Sequence, residues 1–369
     1  MTYRGEPGFL HGTPPALGVL LTNLGTPEAP TPGAVRRYLA EFLADPRVIE
    51  MPRWLWRIIL HGVILRVRPR RSSEAYHKVW TAEGSPLLVF ARRQASALQT
   101  ALSERLPGPV RVALGMRYGR PAIADALEEL RAAGSRRLLL LPLYPQYSAT
   151  TTASTFDALA AVLGTWRWLP ELRLVTHYHD DPGYVGALVA SIREARATAG
   201  EPERLLFSFH GLPRRYLQAG DPYHCACQKT ARLVAQGLGL PPERWAVSFQ
   251  SRVGREEWLK PYTDHLLREW AAAGVRRVHV VCAGFSADCL ETLEEIDQQN
   301  RGFFLAAGGE SFHYVPALND RPDHIAALAD LVARNIQGWP EADPTLDQAA
   351  VQAELAASRA RALAMGAPR

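Results

Sequence analysis

Cysteine is scarce in this sequence, and the cysteines present do not match a known cluster motif. Four occur among 369 residues: Cys225, Cys227, Cys282 and Cys289. Their spacing fits neither a zinc ribbon nor a ferredoxin pattern. We therefore expect reduced, independent thiols, as is usual in cytosolic proteins. The alternative is a 2Fe–2S cluster or a zinc ion held by all four, with His224 beside the C-x-C pair.

Long apolar runs and long basic runs are also missing. The most apolar stretch, residues 51–65, is interrupted by Arg57 and His61, whereas a membrane span needs about 20 apolar residues. This stretch could instead be a lid over an apolar ligand, a membrane-surface helix or a buried helix with a basic end. The net charge of +5 is spread along the chain. That spread argues against nucleic acid as a partner and favours small anionic ligands or a lipid surface.

No secretory signal pattern opens the chain, so we expect a cytoplasmic protein. The composition, 47% hydrophobic and 21% charged, provides enough apolar material for two domains with their own cores. The first residues are polar, and the Ala-rich tail after Trp339 is expected to form an appended helix with a frayed end.

Two internal repeats organise the chain. Residues 132–141 return as 272–281, 140 positions later, and each copy reads as a helix end, a Gly, two basic residues and a buried strand. More faintly, residues 20–27 return as 206–213, 186 positions later, as an apolar strand that ends in Gly-x-Pro. The repeats predict an α/β protein of two related halves. Because the offsets differ, about 46 extra residues lie in the first half, and we place them at about 45–85.

These repeats define the predicted domains, each a mostly parallel sheet flanked by helices. The N-terminal domain covers 16–165 and carries the insertion, the C-terminal domain covers 166–337, and the tail covers 338–369. In an open parallel sheet, ligands bind at the carboxyl ends of the strands. Side chains at those ends are therefore the first candidates for a functional site.

His210 stands at such an end, after the apolar residues 205–207. A lone His after a strand is more often a solvated or hydrogen-bonded turn residue than a catalyst. Two features favour function: the position at the strand end, and Gly211, which would let a ligand approach the backbone closely.

An acidic segment follows the β-branched strand at residues 278–281. The pattern after it predicts a Gly turn and a helix, with Asp288 as N-cap and Glu291 completing a capping box. Glu295 has no such structural explanation. Glu291 and Glu295 are four residues apart and share one helix face, where like charges repel. Such a row suits a metal-ion path or a proton relay, but it is also typical of an exposed helix face.

Several blocks together resemble the ferrochelatase family, in the family's order from about residue 16 to 337. They are residues 23–27 (NLGTP), 144–148 (YPQYS), 208–213 (SFHGLP), 250–254 (QSRVG) and 288–296 (DCLETLEEI). The Cys at position 289, where many members have a second His, is similar to the Gram-negative bacterial subgroup. The resemblance implies two Rossmann-like domains of the chelatase type with a porphyrin cleft between them.

The resemblance also assigns residues to the site. It makes His210 the active-site His that accepts pyrrole protons or binds metal, and Glu291 the essential acidic residue that shares in metal binding. Asp288 and Glu295 continue the acidic row as catalytic residues. The implied porphyrin-binding positions are Arg117 and Tyr118 on the opposite cleft wall, Arg68, Ser85, Gln250 and Ser251 near the propionates, and Leu24, which brings no polar group.

The implied reaction is insertion of Fe²⁺ into protoporphyrin IX, the last step of heme biosynthesis, with the release of two protons. No permanently bound cofactor is expected. A 2Fe–2S cluster is not expected either, because the four-Cys extension that holds it in the animal enzymes has no counterpart after Cys289. The insertion could also make a peripheral contact with the inner membrane. The alternatives are a coproporphyrin ferrochelatase, a chelatase that inserts cobalt or nickel into another tetrapyrrole, or a non-catalytic porphyrin carrier.

Overall fold

A computed structural model describes residues 3–254 and 256–367, which form two four-stranded, fully parallel sheets. The first sheet has the order β2-β1-β3-β4 and the second has the order β6-β5-β7-β8. This shared order is that of flavodoxin-like doubly wound sheets. The strands are β1 Ala16–Thr26, β2 Val110–Gly119, β3 Ser135–Pro142, β4 Glu171–Leu174, β5 Arg204–His210, β6 Trp245–Gln250, β7 Arg277–Val281 and β8 Ser311–Val315.

Helices connect the strands of both sheets. The α-helices are α1 Pro32–Ala44, α2 Arg53–Ile59, α3 Leu65–Val79, α4 Pro86–Arg105, α5 Ile123–Ala132, α6 Ser154–Leu163, α7 Pro182–Ala199, α8 Arg214–Gln218, α9 Tyr223–Gly237, α10 Thr263–Ala272, α11 Arg301–Ala306, α12 Pro322–Asn335 and α13 Gln348–Ala364. Three π-helical segments occupy Leu60–Ile64, Ala149–Ala153 and Glu291–Asn300, and two short 3₁₀ turns occupy Pro242–Arg244 and Pro340–Ala342.

The predicted duplication is confirmed by the two sheets. The repeat at 132–141 and 272–281 covers the ends of α5 and α10 and the strands β3 and β7, while the fainter repeat covers β1 and β5. Gly134 and Gly274 both have positive φ, 76° and 94°, as the residue that ends a helix in the left-handed region requires. The central strand β1 is buried along almost its whole length because helices cover both faces of a parallel sheet.

The extra residues of the first half form α2, the π-helical segment at Leu60–Ile64 and α3, within the predicted 45–85. Their inner face builds a separate apolar cluster with α1 and Tyr118. Trp56 is part of this cluster, and its indole Nε1 donates a 2.6 Å hydrogen bond to the Leu43 carbonyl oxygen. The insertion is thus one continuous helix with a π-helical turn inside it, packed over the end of the first sheet.

One predicted boundary needs correction. Strand β4 pairs with β3 in the first sheet, so the first unit continues at least to Leu174 and does not end at 165. This strand is only four residues long and half-exposed, so its apolar pattern is too weak to detect in the sequence. The tail does contain a helix, α13. No helix within the described residues is long and apolar enough to cross a membrane.

Candidate active site

His210 ends strand β5, and its imidazole is half-buried. Its Nδ1 lies 2.7 Å from the Gly211 carbonyl oxygen, which can only accept, so Nδ1 carries the proton. Nε2 therefore presents a lone pair. Gly211 does not serve ligand approach as predicted, because a Cβ there would lie 2.7 Å from the Gln250 carbonyl oxygen. The glycine is required by the close contact between the ends of β5 and β6.

Glu295 lies beside His210 on the acidic π-helix, Glu291–Asn300. Its Oε1 accepts a 2.7 Å hydrogen bond from the Ser251 backbone N–H, and its Oε2 accepts one from the Ser251 hydroxyl. Burial raises the pKa of Glu295; the Ser251 hydrogen bonds and the nearby His210 oppose this rise, and the charge of Glu291 adds to it. His210 and Glu291 are thus both close enough to influence the pKa of Glu295.

Glu291 connects this group to side chains from the first half. Burial raises the pKa of Tyr76 well above its ordinary value, and the charge of Glu291 raises it further. Burial lowers the pKa of Arg68, and Glu291 partly offsets that shift. Tyr76 and Arg68 both belong to α3 of the insertion. The Glu291 carboxylate therefore lies at the boundary between the insertion and the second half.

The predicted capping box at Asp288 is wrong. The first backbone hydrogen bond of the helix runs from the Leu293 N–H to the Cys289 carbonyl oxygen. The Asp288 carboxylate accepts hydrogen bonds from the Tyr314 hydroxyl at 2.6 Å and the Asn319 side-chain amide at 2.8 Å. These distant donors compete successfully with the helix start. Asp288 anchors the segment before the acidic helix to strand β8 and the loop after it.

The structure places Gln250 and Ser251 against the acidic helix. The buried Gln250 side chain accepts a 2.7 Å hydrogen bond from the Ser208 hydroxyl and donates one of 2.9 Å to the Glu291 carbonyl oxygen. Ser251 has a φ of 65°, which aims both its N–H and its hydroxyl at Glu295. Their polar groups therefore position Glu291 and Glu295. We had expected these groups to be free to bind the porphyrin propionates.

Arg117 and Tyr118 form a buried polar group at the carboxyl end of β2. Both donate to the Asp45 carboxylate, and so does the Ser154 hydroxyl. Burial alone would raise the pKa of Asp45, but the hydrogen bonds from Ser154 and Tyr118, with the Arg117 charge, hold it below its ordinary value. These contacts fix the two side chains and occupy the Tyr118 hydroxyl and two of the three Arg117 guanidinium nitrogens that the resemblance assigned to porphyrin.

The remaining predicted porphyrin positions differ in availability. The Ser85 hydroxyl is buried and accepts a 2.8 Å hydrogen bond from Thr26. Leu24 packs against the apolar cluster of the insertion, in line with the expectation that it brings no polar group. The half-buried Arg68 guanidinium has no hydrogen-bond partner within the described residues. Arg68 is therefore the predicted position with the most capacity left for an anionic group.

Several groups at the site were not identified from the sequence. Asp45, Tyr38 and Tyr76 carry no motif. Tyr38 and Tyr76 belong to the apolar cluster of the insertion, and Asp45 accepts hydrogen bonds from Arg117 and Tyr118. Glu294 is buried within the acidic helix and pairs with Lys78 of α3 at 2.7 Å. An acidic residue between Leu293 and Glu295, on the apolar side of the helix, was the available signal, because a buried carboxylate needs a partner.

Within the described residues, none of the four cysteines belongs to a group of three possible metal ligands. Cys227, Cys282 and Cys289 are buried and Cys225 is exposed. Burial raises the pKa of each buried thiol well above its ordinary value, which keeps the sulfur protonated. Within the part of the chain that the structure describes, the one trio of potential metal ligands in close contact contains no cysteine.

Comparison with solved structures supports the fold. The structure of SirB from Bacillus subtilis with Fe³⁺ aligns with a TM-score of 0.53 and 12% sequence identity. The alignment covers 89% of this chain and 100% of the SirB chain. At that identity, the likeness establishes a chelatase-type arrangement of strands and helices only. It agrees with the two parallel sheets of equal strand order.

Comparison with families and with curated proteins is closer. The ferrochelatase family model matches residues 16–336. A ferrochelatase of Thioalkalivibrio sulfidiphilus is 60% identical over 367 residues, and one of Nitrosococcus oceani is 59% identical over 367 residues; each alignment covers 100% of both chains. Both organisms are Gram-negative, as the Cys at position 289 predicts. The chain belongs to the ferrochelatase family.

Proposed function

We propose that this protein inserts Fe²⁺ into protoporphyrin IX to form protoheme, with release of two protons, as the last step of heme biosynthesis. One observation carries the proposal. In a chain of this family, the imidazole of His210 has a free Nε2 and stands at a strand end beside two carboxylates. This combines a proton acceptor with oxygen ligands for a divalent ion.

The chemistry follows from those groups. Pyrrole N–H groups are very weak acids, so they need a base within hydrogen-bond reach, and an imidazole nitrogen such as Nε2 of His210 can serve as that base. Glu295 stabilises the imidazolium and passes the proton on. Glu291 offers carboxylate oxygens to the incoming Fe²⁺, which must be held weakly enough to leave for the porphyrin. Arg68 binds a propionate carboxylate.

An anaerobic assay with the purified protein tests the proposal. We expect rapid formation of protoheme from Fe²⁺ and protoporphyrin IX, and slower turnover of coproporphyrin III. Faster turnover of coproporphyrin III would identify coproporphyrin III as the substrate. A preference for Co²⁺ or Ni²⁺ with another tetrapyrrole would identify a different metal insertion reaction. Tight porphyrin binding without any turnover would instead identify a carrier.

A resident cofactor plays no part in this proposal. The four thiols are proposed to remain reduced and to carry no cluster, since the buried ones are held in their protonated form. Purified protein should therefore contain no stoichiometric inorganic sulfide. About two iron and two sulfide per chain, lost together in Cys225→Ser, would contradict this.

The insertion is proposed to rest on an anionic lipid surface. Trp54, Ile58, Val63 and Val67 are each 56–70% exposed. Successive members of this row are four residues apart except Ile58 and Val63, which are five apart. The π-helical turn between them adds one residue to the helical repeat, so all four side chains stay on one face. Exposed arginines border the row: Arg57, Arg66 and Arg70. Apolar residues bordered by arginines are typical of helices that lie in a membrane interface.

Vesicle binding tests this surface. The wild-type protein should co-sediment with vesicles that contain phosphatidylglycerol, and less with purely zwitterionic vesicles, because the arginines add electrostatic attraction. Trp54→Ala should weaken binding severalfold, whereas Trp168→Ala, an exposed Trp outside the insertion, should not. Equal loss in both variants, or binding that ignores lipid charge, would refute the proposed orientation.

A further inference from the structure

Three side chains with metal-binding groups meet at the carboxyl end of β4, before α7. His177, His179 and Asp180 each offer one ligand atom, and these atoms all lie within 4.8 Å of one another. Among residues 3–254 and 256–367, no other trio of His, Cys, Asp and Glu meets this condition. None of the three was singled out by the sequence analysis, and none belongs to the group around His210.

The backbone of this segment is held on both sides. The ring of Tyr178 is buried, and the backbone N–H of Tyr178 donates a 2.9 Å hydrogen bond to the Pro145 carbonyl oxygen. The Thr230 hydroxyl donates one of 2.8 Å to the His179 carbonyl oxygen. Asp181 then caps α7 by accepting from the N–H groups of its first turn. With Tyr178 turned into the core, the alternating side chains His177 and His179 lie together, with ring centroids 5.3 Å apart.

The donor set selects a class of ion. Two imidazoles and one carboxylate suit divalent transition metals such as Zn²⁺, Co²⁺ and Fe²⁺, whereas Ca²⁺ and Mg²⁺ prefer all-oxygen sites. Nδ1 of His179 is buried and has no hydrogen-bond partner within the described residues.

One group opposes a cation at this position. The Lys229 ammonium forms an ion pair with the Asp180 carboxylate, and both side chains are partly exposed. An exposed pair of this kind contributes little stability, so a metal ion can displace the ammonium at small cost. The released Lys229 side chain would extend into solvent.

We propose that His177, His179 and Asp180 form a second binding site for a divalent transition-metal ion, which displaces Lys229 when it binds. The site lies at the edge strand of the first sheet. It does not depend on the proposed reaction, because it requires neither porphyrin nor turnover.

Zinc titration against a chromophoric chelator tests this site. The parent protein carries His210→Ala, so that the histidine of the candidate active site cannot contribute. We expect one Zn²⁺ per chain in this parent. His177→Ala should weaken the binding at least about tenfold, as loss of a ligand does. Lys229→Met should tighten it, since the competing ammonium is gone, and His265→Ala, another exposed His, should leave it unchanged.

Two further measurements make the outcome decisive. His177 is exposed, so His177→Ala without metal should keep the parent's melting temperature, and Zn²⁺ should raise that temperature less in His177→Ala than in the parent. Paramagnetic Co²⁺ should shift the ring protons of His177 and His179 in NMR spectra. Zinc affinity that is unchanged in His177→Ala, or that does not increase in Lys229→Met, would overturn the proposal.

Discussion

At the residue scale, the hydrogen bond between His210 and the Gly211 carbonyl oxygen decides which ring nitrogen can accept a proton. If Nε2 is that acceptor, His210→Ala should fold normally, bind porphyrin and lose nearly all metal insertion. Anaerobic turnover and porphyrin fluorescence measure the two effects separately. A variant that keeps more than a tenth of wild-type turnover, a loss below about 1.4 kcal/mol in barrier, would remove His210 from this role.

Glu291 permits a second test at this scale, because it takes no part in capping the helix. Glu291→Gln keeps the size of the side chain and removes only its charge. Stability should therefore change by less than about 1 kcal/mol while turnover falls by at least an order of magnitude. Melting temperature and kcat are the measurements. Full activity of Glu291→Gln at neutral pH would leave Glu291 without a catalytic role.

At the element scale, the loop after β6 and the acidic π-helix act together on Glu295. The Ser251 hydroxyl stabilises the charged form of Glu295, so Ser251→Ala should raise the pKa of this carboxyl further above its ordinary value. If the charged form is needed for turnover, the acidic limb of the pH–rate profile should move to higher pH. Ser251→Thr, which retains a hydroxyl, should move it less. An acidic limb at the same pH in Ser251→Ala would show that Glu295 does not control it.

Local patterns in the sequence predicted the elements but not their cross-connections. The repeats located β1, β3, β5 and β7, and the apolar stretch at 51–65 located the insertion. The acidic helix was predicted as an ordinary helix. The buried Glu294 is paired with Lys78, which is 216 residues away in the chain. Helix and strand periodicity in the sequence cannot indicate a pair of residues this far apart.

The same reason explains the site residues. His210 stands at the end of β5 and Glu291 in the helix that follows β7, and the topology of a parallel sheet brings such positions to the same edge. Asp288 was misjudged because its partners Tyr314 and Asn319 lie 26 and 31 residues further on. A sequence can suggest that a carboxylate is buried, but the donor that satisfies it is settled only by the assembled fold.

At the scale of the whole molecule, the halves are joined by a fully buried amide. Nε2 of Gln94, on α4, donates hydrogen bonds to the carbonyl oxygens of Ser286 at 2.8 Å and Asn319 at 2.9 Å. Asn319 in turn holds Asp288, just before the acidic helix. Gln94→Ala should therefore cost about 1–3 kcal/mol of unfolding free energy, because buried carbonyl groups lose their donor.

The same variant should also lower kcat, because the acidic helix loses part of its anchor to the first half. Arg92→Ala, at an exposed position on the same helix, is the matched control for both measurements. A stability loss with unchanged kcat would confine Gln94 to packing. If Gln94→Ala changes neither stability nor kcat, the two halves are held together by other contacts.

Buried histidines predict how the whole fold responds to acid. Burial lowers the pKa of His279 and of His324 to about 4, whereas an unfolded chain protonates histidine near pH 6.5. The unfolded state therefore binds more protons below that pH. The stabilisation is complete above pH 6.5 and is lost as the pH falls towards 4, by about 1.4 kcal/mol per pH unit for each histidine. Urea unfolding between pH 7 and 5 should show this slope, and His324→Gln should reduce it by one proton. Stability that stays constant down to pH 5 would contradict the neutral, buried state of these imidazoles.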